Sequence, residues 1–333
     1  IKNIKFILSI YISLEMSEKF NYFISEKEFT KKDVKKTLID NNINGEILDI
    51  QYRPFKKIFV KIKEQNNQYY FIKICLDKYS TELAKNECDG YRELNKIEYK
   101  SFNLPNYEMI MNNDLMSISK IESIDGKKGN FFEFNKFHIL NSERFNDLLT
   151  VREYIEHLTI KIFKTEDIEL PKDIKDIMEK FIIKYGNLKI PINFAHGDSA
   201  HYNSIKSSNK NYLYDLEFYD KKKILFYDFF HWHTLPYIFR IYKLKKINFF
   251  ISSYSTYFFL LKKYCFYKFI KNNSNLKNLD IHLHLEIFFI EKILYLLREL
   301  KLVNFKDLMS ENQLNFNYKI YEIFNKILLR NWK

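Results

Sequence analysis

The sequence predicts an α+β chain in two parts: a small antiparallel β lobe followed by a larger, mostly helical lobe. Three observations carry this. Short runs rich in β-branched and aromatic residues fill the first third. After Gly126 the apolar residues recur at three- and four-residue intervals over long stretches. A single β-rich insert, Phe194–Asp228, interrupts that helical half. The boundary is expected near residue 124, with 16–124 as the first lobe and 125–333 as the second.

In chain order, 31–42 (KKDVKKTLIDNN) reads as a short helix ended by asparagines. Glu46–Gln51, Lys57–Lys63 and Tyr69–Ile74 read as strands, and Gln65–Gln68 reads as the hairpin turn between the last two. Thr81–Leu94 has a helical pattern, with Ser80 or Thr81 available as its cap. Tyr107–Asn112 and Leu115–Glu122 predict two more strands joined by a tight Asn-Asn-Asp turn. Helices are expected over 141–165, 172–185, 246–270, 279–301 and 312–330.

Composition narrows the function classes. The chain has 333 residues, 46% of them apolar, and only six Gly and five Pro, which fits an ordered protein without long flexible linkers. Its net charge of +12 comes from dispersed lysines; no helix carries a basic stripe and no zinc-finger, RRM or helix-turn-helix pattern is present, so nucleic acid is not an expected partner. Cys75, Cys88 and Cys265 are odd in number and lack C-x-x-C spacing, which argues for reduced thiols and a cytoplasmic location rather than metal or disulfide roles. Phe6–Leu14 follows Lys2 and Lys5 but runs into Glu15 and Met16 without a small-residue cleavage site, so 1–15 reads as a leader or non-native extension. Ile247–Leu261 is uncharged but shorter than the roughly 20 residues that a spanning helix needs, and no integral membrane association is expected. Composition is silent on oligomeric state.

The chemistry concentrates in Phe194-Ala-His-Gly-Asp-Ser-Ala-His-Tyr-Asn203 and in Tyr212-Leu-Tyr-Asp-Leu-Glu-Phe-Tyr219. Phosphoryl transfer to a hydroxyl asks a protein to position the nucleophile and to hold metal ions on the phosphates. A carboxylate can accept the hydroxyl proton, and an amide oxygen and a second carboxylate are the hard ligands that Mg²⁺ prefers. Asp198, Asn203 and Asp215 are one of each, and a single loop with Asp-x-x-x-x-Asn spacing can present the first two to one cleft.

His196-Gly-Asp198 with Asn203 resembles the H-G-D-x-x-x-x-N loop of the aminoglycoside phosphotransferases. Tyr214-Asp215-Leu-Glu217 is similar to their [I/V]-D-[W/F]-E element, and Tyr227-Asp228-Phe-Phe-His-Trp232 to a later segment whose Asp buttresses the loop; the choline and ethanolamine kinases have related patterns. The resemblance implies a bilobal protein-kinase-like fold with Asp198 as catalytic base, His196 holding the loop, and Asn203 and Asp215 as Mg²⁺ ligands. It further implies ATP or GTP as phosphoryl donor and a sugar, amino-alcohol or aminoglycoside hydroxyl as acceptor. A nucleotide lobe of this kind pairs a strand Lys with a helix Glu; Lys73 and Glu87 fill those places, with Glu82 and Glu93 as alternatives for the acid. Leu115–Gly126 then corresponds to the hinge, and the backbone near Ile121 and Ser123 would meet the base. One departure stands out: Gln51-Tyr-Arg-Pro-Phe-Lys-Lys57 contains no Gly where kinases place a glycine-rich loop, leaving Arg53, Lys56 and Lys57 to compensate. A catalytically weak or inactive scaffold with this fold is the alternative reading. His231, His233, His282 and His284 lack zinc-motif spacing and are assigned to core or surface. Ser199 lies in no nucleophile elbow, and the aromatic residues of 247–268 read as core or as a cage for a cationic head group.

Overall fold

In the computed structural model, residues 29–53, 56–96, 102–129, 147–163, 170–199, 203–232, 234 and 279–302 are described. The expected leader and the helices expected over 246–270 and 312–330 lie outside these residues, as do Cys265 and His233.

Helix α1 (Lys31–Asp40) opens with a capping box, Thr30 accepting from the Asp33 N–H while Asp33 accepts from the Thr30 N–H. Strands β1 (Glu46–Arg53), β2 (Lys57–Lys63), β3 (Tyr69–Cys75), β4 (Tyr107–Asn112) and β5 (Ser117–Glu122) form one antiparallel sheet in the order β1-β2-β3-β5-β4. Strand alternation sends Ile58, Val60, Ile62, Ile72, Ile74 and Ile118 to one face, where they bury Val34 and Leu38 of α1. The opposite face carries Lys57, Phe59, Lys73 and Ser119, with Phe59 directly across from Lys73 and Lys73 across from Ser119. That second face is the roof of the site.

Helix α2 (Lys78–Leu94) starts earlier than the sequence suggests. Its cap is Asp77, whose carboxylate accepts from the Ser80 N–H at 2.6 Å, so Ser80 is the third helical residue and not the cap. The β4–β5 turn is also longer than expected, because the Asn113 side chain accepts from the N–H groups of both Leu115 and Met116 and β5 begins only at Ser117.

In the second lobe, β7 (Asp147–Thr150) occupies part of the expected 141–165 helix. These residues pair with β8 (Lys189–Ala195), and helix α3 (Val151–Phe163) starts only after them, Glu153 accepting from the Thr150 N–H at 2.7 Å. Helix α4 (Lys172–Tyr185) matches its expectation, and α5 (Ile281–Leu302) matches to within two residues. The β-rich insert resolves into β8, the hairpin β9 (Ser204–Ser207) and β10 (Lys210–Leu213), and β11 (Asp220–Ile224). The short β6 (Lys127–Lys128) joins β9 to form a sheet β10-β9-β6, and β11-β8-β7 is the third sheet. From 227 to 232 the insert ends in a helix. The apolar faces of α3, α4 and α5 close over Ile190, Ile192, Leu225 and Tyr227 as the larger core.

Phe288 of α5 has no exposed surface and packs edge-on against Tyr227 at 5.1 Å between ring centroids. Phe288→Ala should cost about 3–5 kcal/mol in urea unfolding, whereas Ile183→Ala, at an exposed position on α4, should stay within about 0.5 kcal/mol. Equal stabilities for the two variants would contradict this assignment of the core.

Candidate active site

The site is built where β3, α2 and the segment after β10 meet. Lys73 projects from β3 and is almost wholly buried, with 1% of its side chain exposed. Its Nζ lies 2.9 Å from Glu87 Oε2 on α2 and 3.3 Å from Asp215 Oδ1, and it also contacts Glu217 Oε1. Of the three acids proposed for the lysine partner, Glu87 alone faces it; Glu82 pairs with Arg298 at 3.3 Å and Glu93 with Lys221 at 2.9 Å.

Helix α2 reaches the Asp215 segment because Gly90 lets it approach closely: a Cβ there would stand 3.1 Å from side-chain atoms of Leu216 and Tyr219. Asn86 fixes the contact by donating to the carbonyls of Glu217 (2.6 Å) and Tyr219 (2.9 Å).

Hairpin β9–β10 returns Asp215 beside Asn203. The Tyr214 N–H donates to the Asn203 carbonyl at 2.9 Å, which sets Asn203 opposite the residue before Asp215. Asp215 adopts φ +60°, a left-handed backbone that aspartate tolerates. The Asn203 amide nitrogen donates to the Asp198 carbonyl at 2.8 Å and to its carboxylate at 3.3 Å. Its Oδ1 accepts no hydrogen bond among the described residues.

The loop that carries Asp198 is held from beneath. Asp228 accepts from the N–H groups of His196 (2.7 Å) and Gly197 (2.9 Å), so a single carboxylate grips two consecutive amides. Gly197 has φ +87°, and a Cβ there would stand 2.1 Å from the Phe218 carbonyl oxygen. His196, 2% exposed, accepts from the Asp198 N–H at Nδ1 (3.3 Å) and donates from Nε2 to the Tyr214 carbonyl (2.6 Å). It ties the Asp198 loop to the Asp215 segment and does not face the cleft as a proton carrier.

Four contributors escaped the sequence reading. Glu217 sits inside the quoted motif, yet its bridge between Lys57 and Lys73 shows only in three dimensions. Lys57 was read as the start of a strand and as a substitute for the loop glycines, but its buried contact with Glu217 Oε2 at 2.5 Å carried no sequence signal. His231, assigned to the core, is indeed buried, with its Nε2 2.9 Å from Asp198 Oδ1. Lys292 on α5 carried no sequence signal; its Nζ donates to the Gly197 carbonyl at 3.4 Å and lies 5.1 Å from the Tyr227 ring centroid.

Charge sets the protonation states. Burial works against the Asp198 anion, but His231, Lys292 and His196 outweigh it and hold the carboxyl below the usual aspartate range. Burial, reinforced by Lys292, holds the His231 imidazole below its ordinary range, against the pull of the nearby Asp198 carboxylate. Burial also pulls Lys292 down to about 8. Burial lifts Glu87 to about 7, Lys73 opposing it, and its second oxygen has no partner among the described residues. In Glu217 burial is overcome by Lys57 and Lys73, which bring the carboxyl to about 2. Asp215 is pushed upward by burial of its inner oxygen and by Glu217, moderated by water because 37% of its side chain is exposed.

The donor set fits a divalent cation. Lys57 and Lys73 oppose three carboxylates, Glu87, Asp215 and Glu217, so the fully ionised group carries 2 − 3 = −1, while Asp198 faces His231 and Lys292. Glu87, Asp215 and Glu217 have oxygens within 4.8 Å of one another, but Lys73 already contacts all three. Asp215, the most exposed of those three, and the Asn203 Oδ1 are the hard oxygens left for a metal. Where the first lobe joins the second, Tyr214 donates its hydroxyl to the Glu122 carbonyl (3.1 Å) and accepts from the Ile124 N–H (2.9 Å). Ile121 lies in the ladder between β3 and β4, and the Ser123 N–H donates to the Tyr69 carbonyl at 2.8 Å, where the sheet ends.

No family model matches this sequence, and no curated protein does. Solved structures do match in fold. The GDP and kanamycin complex of APH(2")-IIia superposes with a TM-score of 0.51 at 10% identity, covering 89% of this chain and 99% of that one. A thermostable mutant of the aminoglycoside phosphotransferase APH(4)-Ia, bound to AMP-PNP and hygromycin B, gives 0.51 at 10% identity over 88% and 98%. Macrolide 2'-phosphotransferase type I gives 0.51 at 8% identity over 86% and 96%. The chain therefore has the bilobal protein-kinase-like fold of the aminoglycoside phosphotransferases.

The Glu217 ion pairs predict a pH dependence. A carboxyl lowered from 4.5 to about 2 contributes stability that is present above pH 4.5 and lost as pH falls toward 2. Wild type should exceed Glu217→Gln by a few kcal/mol in urea unfolding at pH 7, and the gap should narrow below pH 4.5. A gap unchanged down to pH 3 would show that the ion pairs are not its source.

Proposed function

We propose that the protein transfers a phosphoryl group from ATP or GTP to a hydroxyl of a small molecule. One observation carries the reading: Asp198, Asn203, Asp215 and the Lys73–Glu87 pair, scattered over 143 positions of sequence (215 − 73 + 1), converge where β3, α2 and the segment after β10 meet.

Each residue has a task. Asp198, ionised beside His231, accepts the proton of the acceptor hydroxyl as its oxygen bonds to the terminal phosphorus and the bond from that phosphorus to the departing nucleoside diphosphate breaks. Lys73, fixed by Glu87, places a buried positive charge against the phosphates. The hinge around Ile121–Ile124 would meet the base, although the N–H groups of Glu122, Ser123 and Ile124 already donate to Asn106, Tyr69 and Tyr214. Asn203 and Asp215 would hold Mg²⁺, which when bound neutralises charge on the phosphate oxygens. Asp228 and His196 keep the loop in shape, so that Asp198 needs little rearrangement to reach its working position. The acceptor class is a sugar, amino-alcohol or aminoglycoside hydroxyl, and the chain's charge of +12 favours the first two over a polycation. Reduced cysteines such as Cys75 and Cys88 suit a cytoplasmic enzyme. Among the described residues no helix is long and apolar enough to cross a membrane.

Two measurements test this. ATP with Mg²⁺ should raise the melting temperature, as any ligand that binds only the folded state must, and the rise should shrink in Asp215→Ala. A folded protein that no nucleotide stabilises would favour the scaffold reading. Asp198→Asn should reduce turnover at least about a hundredfold, the scale of a lost general base, while nucleotide affinity is retained. Full turnover in that variant would remove Asp198 from its role.

A further inference from the structure

We propose that Tyr214 sets the nucleotide preference of the site: its hydroxyl takes the hinge contacts that the edge of a base would use, so a nucleoside triphosphate is accepted with little regard to its base. The inference rests on the nucleotide reading above and concerns the base end of the same site.

The backbone from Glu122 to Ile124 has three N–H groups, and each is already committed. Glu122 donates to the Asn106 carbonyl at 2.9 Å, Ser123 to the Tyr69 carbonyl at 2.8 Å, and Ile124 to the Tyr214 hydroxyl at 2.9 Å. The first two are main-chain bonds where the sheet ends. The third is made by a side chain, and the same hydroxyl donates to the Glu122 carbonyl at 3.1 Å. One oxygen thus reaches an acceptor and a donor two residues apart, so the Glu122 C=O and the Ile124 N–H face a common point. A phenol gives one hydrogen and accepts another, and it serves both partners at once.

That pair has the chemistry to meet a nucleotide base. Adenine presents an amino donor together with ring-nitrogen acceptors, and the other bases likewise carry donors and acceptors on their edges. Tyr214 is also firmly placed to compete with them. Its own N–H donates to the Asn203 carbonyl at 2.9 Å, and its carbonyl accepts from His196 Nε2 at 2.6 Å, so its backbone is tied on both sides directly before Asp215.

The energetic consequence follows from exchange. A base that reached the hinge pair would break two hydrogen bonds to make two, which leaves little net gain. A base that left Tyr214 in place would find no uncommitted N–H from Glu122 to Ile124. On either course the edge adds little to affinity, and the phosphates decide it. Glu122, Ser123, Ile124 and Tyr214 are all half-buried, so water can serve the hinge pair when the hydroxyl is removed, and Tyr214→Phe is a mild change to the fold.

The experiment titrates ATP, GTP, CTP and UTP, each with Mg²⁺, into wild type, Tyr214→Phe and Tyr214→Val. Wild type should bind all four within about fivefold of one another. Tyr214→Phe removes the hydroxyl and frees the pair; Tyr214→Val removes the ring as well. In at least one variant the nucleotide whose edge fits the pair should gain about tenfold, the scale of a hydrogen bond no longer offset by another, so that the spread exceeds that of wild type. A wild-type spread wider than about fivefold, or one that stays within about fivefold in both variants, overturns the proposal and leaves the nucleotide site standing. If wild type binds none of the four, the nucleotide reading fails and takes this proposal with it.

Discussion

Everything in this cleft depends on a single buried positive charge. Lys73 is taken out of water on β3, and a lone ammonium there would be prohibitively costly. Its compensation comes from three directions: Glu87 on α2, and Asp215 and Glu217 on the segment after β10. Two of these acids belong to the insert in the second lobe, so burying the lysine obliges the lobes to meet in one relation. The Asn86 bonds to the Glu217 and Tyr219 carbonyls, and the close approach at Gly90, are the packing counterpart of the same constraint. The cluster holds one more carboxylate than lysine, and burial lifts Glu87 to about 7, with Asp215 and Glu217 adding to the rise.

The Asp198 loop follows a different logic. Asp198 must be ionised, partly exposed and aimed, and none of these follows from the loop's own backbone. Asp228 supplies the aim by holding the His196 and Gly197 amides, and Gly197 supplies a conformation that no Cβ would fit. The ionisation comes from His231 and Lys292, which lie 33 and 94 positions away in sequence (231 − 198 and 292 − 198). Rigid support from below and open access above allow a side chain to be both precise and reachable.

Much of this was legible from residues alone. KIFVKIK and YYFIKI were legible as strands, and in the sheet their alternation separates an isoleucine face from a face bearing Lys57 and Lys73. The Asp-x-x-x-x-Asn spacing brings Asp198 and Asn203 together because one loop spans both. Errors fell where local signals competed. Ser80 and Asp77 can both cap a helix, and hydrogen-bond geometry chose the aspartate. The residues of β7 sit in a helix-like context, but β8 offers them a ladder, and ladder pairing overrides local propensity.

The sequence by itself determined most of the strands and helices and put Asp198 and Asn203 on one loop, because periodicity and short spacings are local properties of a chain. Tertiary structure alone decided which of three glutamates meets Lys73, that Lys57 and Lys73 share Glu217, and that His231 and Lys292 stand against the Asp198 loop. Those are electrostatic facts about groups 14 to 160 residues apart. Their energies depend on burial and on distances of a few ångströms, which exist only once the chain has folded.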